Sequence, residues 1–172
     1  MLSKLKKIAK NSRTAFDSKI NSIKKDKVLK KFANLLLKNK QQILKENLKD
    51  IKFANKKNIK ENLIKRLELN GEKINSIVKS VNQIIKIKDP TNKVLDKWKR
   101  PNGLVIKKVT VPIGVIAVIY ESRPNVTSDV ASLCFKSGNA VILRGGSEAS
   151  YSNFLIANLF RESLKLNKLI TI

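Results

Sequence analysis

From residue 3 to residue 86 apolar side chains recur every three or four positions with lysines between them, the period of amphipathic helices with one packed and one wet face. Residues 3 to 24 carry Leu5, Ile8, Ala9, Phe16, Ile20 and Ile23 at that spacing, with Ser3 placed to cap the start. Asp26 is placed to cap a second helix whose stripe is Val28, Leu29, Phe32, Leu35 and Leu36. Gln42 to Ala54 continues in the same style through Ile43, Leu44, Leu48 and Ile51. A short helix over Lys60 to Leu69 is expected to stop at Asn70-Gly71, the glycine supplying a left-handed C-terminus. Ile74, Ile77, Val78, Val81, Ile84 and Ile85 then mark the clearest amphipathic helix, ended by Asp89-Pro90.

After Pro90 the period changes. Pro90 to Pro101 reads as a connector with a basic tip, Lys97-Trp98-Lys99-Arg100, where the single Trp suits packing or an interface better than base stacking. Leu104 to Val111 alternates, Leu104, Ile106 and Lys108 against Val105, Lys107 and Val109, which predicts an edge strand or a two-stranded extension. Ile113 to Tyr120 is continuously apolar and β-branched, the mark of a parallel strand buried on both faces. It runs into the polar turn Glu121 to Asn125. A helix follows, capped by Thr127, Ser128 or Asn125, with Val126, Val130, Leu133 and Cys134 as its stripe and Ser137-Gly138-Asn139 as its end. Ala140 to Leu143 is a second buried strand entering Arg144-Gly145-Gly146. Ser147 then caps a helix starting at Glu148 and carrying Phe154, Leu155, Ala157, Leu159, Phe160 and Leu164.

Composition narrows the chemistry. The chain has 172 residues, 42% of them hydrophobic, enough for one good core or two small ones. No run reaches the roughly 18 uncharged apolar residues that span a bilayer, and the cationic start lacks a signal-peptide pattern. One cysteine and no histidine leave neither a disulfide framework, a Cys/His metal cluster nor a His-activated nucleophile. The net charge of +24, from 37 basic and 13 acidic residues, invites a polyanion partner. Yet lysine is spread over every helical segment, far outnumbers arginine and is not interleaved with aromatics. The charge therefore reads as compositional drift with non-specific polyanion binding as a side property, and no specific nucleic-acid or membrane partner is expected.

Two strands joined by one helix pair in parallel through a right-handed crossover. The turns Glu121 to Asn125 and Arg144 to Ser147 then emerge together at the carboxyl edge, where open α/β sheets bind ligands. A Gly-Gly turn admits a ligand close to the backbone, and Arg144 adds a positive charge for a phosphate. Cys134, on a packed stripe, is structural and not a nucleophile.

The run PIGVIAVIYESRPNVTSDVASLCFKSGNAVILRGGSEASYSN resembles the gamma-glutamyl phosphate reductase family of the aldehyde dehydrogenase superfamily, and the resemblance extends back through KDPTNKV, EKINSIVKSVNQI, LIKRLEL and NLKDI. It implies an α/β fold, a helical N-terminal region over residues 1–100 packing on a partial Rossmann-like NADP-binding region over residues 101–172. It further implies cytoplasmic NADPH-dependent reduction of L-glutamate 5-phosphate to the 5-semialdehyde in proline biosynthesis. In that chemistry a cysteine thiolate attacks the acyl phosphate and hydride reduces the thioacyl enzyme. The resemblance places Ser122, Arg123 and Asn125 toward the oxyanion or substrate, with Arg123 and Asn125 as alternatives, and Arg144, Gly145, Gly146, Ser147 and Glu148 along the cofactor. Ser147 stands where relatives often have lysine, which leaves a 2′-phosphate to Arg144 or to residues not identified. The family's nucleophile and catalytic domain match nothing here, so the chain is expected to be inactive alone. It then acts as part of a homo-oligomer, as a half-enzyme requiring a C-terminal partner, or as a non-catalytic basic fragment. Leu169 to Ile172 are expected to enter another strand.

Overall fold

Asn21, not Asp26, starts the second helix, because its side chain accepts from the Lys24 amide at 2.9 Å. The computed structural model describes residues 2–18 and 20–169, so the strand expected at Leu169 to Ile172 falls largely outside the described residues. The expected helix over 3 to 24 divides into α1 (Leu2–Asp17), which takes in Ser3 instead of being capped by it, and α2 (Ser22–Lys38), which carries Ile23 on an exposed face. Asp26 lies inside α2 and pairs with the nearly buried Lys136. The α2 stripe is buried as its spacing predicts. Helices α3 (Lys40–Lys56), α4 (Glu61–Leu67) and α5 (Gly71–Lys86) follow. Gly71 opens α5 and does not close α4, since Asn70 is extended and accepts from the Lys73 amide at 2.8 Å.

Helix α3 buries only part of the stripe expected of it, Ile43 fully and Leu44 and Ile51 in part. Its inner face is Ile43, Asn47, Asp50 and Ala54, while Leu48 is exposed. The reason is what that face meets. Asn47 donates to the Leu67 carbonyl at 3.0 Å and accepts from the Leu69 amide at 2.7 Å, which holds the α4–α5 link. Asp50 accepts from the amides of Tyr151 and Ser152 at 2.9 and 2.8 Å. These are first-turn donors of α7 (Ser150–Leu166), which has no side-chain cap of its own. Ser147 is not that cap, because Ser147–Ala149 form a single 3₁₀ turn ahead of α7.

The expected connector contains a strand. β1 (Val94–Lys99) pairs antiparallel with β2 (Val105–Val109), with an irregularity between Val94 and Asp96. This is the two-stranded extension that the alternation predicts, and Trp98 lies on it opposite Ile106. β3 (Val115–Ile119) and β4 (Ala140–Arg144) pair in parallel through α6 (Pro124–Lys136). Burial on both faces is not achieved. Ile119 is 84% exposed, because the described residues supply only two strands to this sheet, with α6 packed on β4 and α1 lying across β3 and β4.

Helix α6 begins at Pro124 with Arg123 at the N-cap position and no side-chain cap, so Asn125, Thr127 and Ser128 lie within the helix. Its buried face is Thr127, Ser128, Ala131, Ser132 and Cys134, while Leu133 is exposed. Small side chains let α6 lie against both α5 and α7. Gly138, at φ +74, ends the helix as expected, with the Asn139 amide reaching back to the Cys134 carbonyl at 2.8 Å. The main core joins α2 and α5 to α6 and α7 through Phe32, Phe160 and Phe135, whose rings meet edge-on at 4.9 and 5.7 Å. On α7, Leu159 and Phe160 are buried, whereas Phe154 is exposed toward α1.

Burial raises the Asp50 carboxyl above its ordinary value, against the pull of its bonds from Ser152 and Tyr151. Asp50→Ala leaves the Tyr151 and Ser152 amides without an acceptor and is expected to lower unfolding free energy by about 2 kcal/mol, with Asp50→Asn costing less. Because the folded carboxyl titrates above its unfolded value of 3.8, the native state holds more protons across that window. The stability advantage of the parent over Asp50→Asn therefore shrinks as pH rises through it and then levels off, as denaturant unfolding at several pH values will show.

Candidate functional site at the carboxyl edge of the parallel strands

The two expected loops do meet. Tyr120 continues the ladder past Ile119, its amide bonding the Arg144 carbonyl at 3.1 Å, so both turns leave the sheet at the same level. Ser122 donates to Glu148 Oε2 at 2.6 Å, a direct clasp between the first loop and the second. That bond, together with one from Ser147 at 3.1 Å, holds the Glu148 carboxyl below its ordinary value. Gly145 and Gly146 are needed for proximity, not for backbone conformation, as neither has a positive φ. A Cβ on Gly146 would overlap Ser122 Oγ and come within 2.7 Å of Glu148 Oε2 and 3.2 Å of the Ser122 amide nitrogen. On Gly145 it would run into Asn153 Nδ2 and lie 3.0 Å from the Tyr120 ring.

Behind the clasp lies a relay that sequence patterning does not reveal. The Tyr120 hydroxyl and Thr127 Oγ1 lie 2.7 Å apart, and Thr127 donates to Asn153 Oδ1 at 2.8 Å. This ties the end of β3 to α6 and α7 directly under Gly145. Burial raises the Tyr120 hydroxyl above its ordinary value, with the Thr127 bond opposing, which keeps the ring neutral. The one available signal was Thr127 at a position where a helix stripe should be apolar.

The first loop is charged. Glu121 lies 3.2 Å from Arg66 Nη1 of α4 and 3.4 Å from Arg123 Nε, so a residue 55 positions upstream helps fix its position. Arg123 and Asn125 are both partly exposed, and Asn125 reaches Asp129 Oδ2 only at 3.5 Å. Arg144 is exposed, with one bond to the Gly145 carbonyl at 3.1 Å. Beside it a cavity of about 890 Å³ lies between α1 and the open face of β4, walled by Phe16, Val141, Leu143 and Phe154, and it reaches Gly145, Gly146 and Ser147. Cys134 stands apart from all of this: it is buried, and burial raises its thiol above the ordinary value. Among the described residues no cluster of three metal-ligating side chains forms.

Chemically, the exposed Arg144 guanidinium beside the Gly-Gly turn can meet an anion, and the charged first loop can meet a polar group. The first-turn amides of Tyr151 and Ser152 are already taken by Asp50 and are not open to a ligand anion. Gly146→Ala is expected to break the clasp and lower unfolding free energy by about 1–3 kcal/mol. Adding Ser122→Ala should recover part of that loss by removing the overlapped hydroxyl. Denaturant melts of the single and double variants measure both effects.

No protein-family model matches the chain. It is 48% identical over 165 residues to gamma-glutamyl phosphate reductase of Nautilia profundicola, an alignment covering 96% of this chain and 40% of that protein. It is 44% identical over 169 residues to gamma-glutamyl phosphate reductase of Dictyoglomus thermophilum, again covering 40% of the relative. The chain thus spans about 40% of the length of the curated relatives it matches. Its structure superposes on the crystal structure of gamma-glutamyl phosphate reductase from Thermotoga maritima with a TM-score of 0.90 at 42% identity, covering 94% of this chain and 39% of that one. The Saccharomyces cerevisiae gamma-glutamyl phosphate reductase gives 0.89 at 31% identity, covering 96% and 42%. At 14% identity the fold also matches a probable aldehyde dehydrogenase from Listeria monocytogenes, with a TM-score of 0.70 over 97% of this chain and 34% of that one. The chain is a homologue of the gamma-glutamyl phosphate reductases, matched over nearly its whole length to about 40% of theirs.

Proposed function

We propose that this chain is the cofactor-holding part of an NADPH-dependent gamma-glutamyl phosphate reductase, which converts L-glutamate 5-phosphate to L-glutamate 5-semialdehyde with release of phosphate. The observation that carries the reading is the clasp of Ser122 to Glu148, which sets a charged loop and a Gly-Gly loop side by side at the carboxyl edge of two parallel strands in a homologue of these reductases. The cavity that opens at Gly145, Gly146 and Ser147 has room for a large part of a dinucleotide, and the exposed Arg144 guanidinium suits a phosphate. The bound nicotinamide cofactor supplies hydride. This chain contributes Arg144 as the phosphate contact, Glu148 as an acceptor for ribose hydroxyls once the clasp loosens, and Arg123 or Asn125 as donors to the developing oxyanion.

Nucleophilic attack falls to a thiolate outside these residues. Cys134 is buried, its thiol is disfavoured as thiolate, and it lies on the packed face of α6. The 172-residue chain therefore binds cofactor without completing turnover. Arg144→Ala is expected to weaken NADPH binding by about tenfold or more, the scale of one charge-assisted hydrogen bond, while altering NADH binding less if it meets the 2′-phosphate. Cofactor fluorescence titrations measure this. An unchanged NADPH affinity, or steady NADPH oxidation by this chain with glutamate 5-phosphate, would contradict the proposal.

A further inference from the structure

A second, smaller cavity of about 160 Å³ lies between α4, α5 and the first turns of α6, immediately beside the loop of Glu121 to Asn125. Its lining is of mixed charge: Arg66, Glu68 and Lys73 with the hydroxyl-bearing Ser76 and Ser80 on the α4–α5 side, Asn125 with Asp129 on α6, and Leu69 and Ile77 as its apolar part. The acid is poorly served. Asp129 Oδ1 is buried without a hydrogen-bond partner, and Oδ2 has only the 3.5 Å contact from Asn125. Burial accordingly raises its carboxyl above the ordinary value, with Asn125 opposing. An unpartnered buried carboxylate oxygen is costly unless a cation meets it, and among the described residues no basic side chain pairs with it. The cations are only partly committed. Lys73 Nζ donates to the Glu68 and Lys65 carbonyls, which neutralises none of its charge, and Arg66 reaches Glu121 through one Nη.

A cavity with an unmet buried acid on α6, and two cations and two hydroxyls facing it beside the exposed Glu68, is complementary to a zwitterion. We propose that it takes the α-ammonium and α-carboxylate of an L-amino acid, Asp129 receiving the ammonium and Arg66, Lys73, Ser76 and Ser80 receiving the carboxylate. The side chain of such a ligand leads out past Asn125 toward Arg123, the loop assigned above to the reacting group. The inference rests on the proposed function in identifying that ligand as a glutamyl group. It makes this pocket the specificity element that distinguishes an amino acid from a simple acyl compound.

The test is titration of the 172-residue chain with L-glutamate, glutarate, which lacks the ammonium, and 4-aminobutyrate, which lacks the α-carboxylate, followed by NMR. L-glutamate is expected to bind about tenfold or more tightly than either analogue, the scale of a lost buried charge pairing. Asp129→Asn, nearly isosteric, should erase the preference over glutarate. Arg66→Ala should erase the preference over 4-aminobutyrate, an independent arm if either variant folds poorly. Equal affinity of the parent chain for L-glutamate and glutarate overturns the subsite, as does the absence of saturable L-glutamate binding. If L-glutamate fails to bind while NADPH binds through Arg144, the subsite is lost and the proposed function stands. Failure of both ligands removes both.

Discussion

The carboxylate of Asp50, fully enclosed on α3, is the acceptor for two backbone amides that open α7, and the local order of the site depends on it. Without an acceptor those donors would be unpaired, the Ser152 amide in a buried position, which costs more than the bonds themselves contribute. One turn back along α3, Asn47 serves the α4–α5 link and also donates to Ser152 Oγ at 3.1 Å. The two residues sit at i and i+3 on one helix face, so a single rigid element sets the position of α7 relative to α4 and α5. The Gly-Gly turn is the segment between β4 and that fixed helix start. Its freedom is limited at both ends.

From this frame the division of labour between the loops follows. A helix N-terminus is ordinarily an anion site, but here the protein's own carboxylate occupies it. Ahead of that helix, Gly146 allows Ser122 and Glu148 to meet. The loops at 121–125 and 144–148 are thereby mechanically joined. Arg66 extends the same logic outward, since α4 braces Glu121 and also lines the small mixed-charge pocket.

Much of the fold was legible because it rests on periodicity. The stripes of α2 and α5, the parallel pair and the adjacent loops all follow from spacing and from the change of period after Pro90. What was hidden follows from one cause. Faces that pack against backbone or helix ends need polar or small residues, and periodic apolar patterns cannot mark them. Asn47, Asp50, Thr127 and Ser128 therefore lie inside where Leu48 and Leu133 were expected. β1 was missed because its residues are exposed on both faces, which leaves no alternation to read. Arg66 comes beside the loop of Glu121 to Asn125 through a tertiary contact alone.

Amide hydrogen exchange on this chain, with and without saturating NADPH, tests the central claim that Asp50 and not the cofactor occupies the start of α7. The account predicts new protection at residues 144–148, with the Tyr151 and Ser152 amides already protected and unchanged. Protection that instead appears at Tyr151 and Ser152, with 144–148 unaffected, would contradict it.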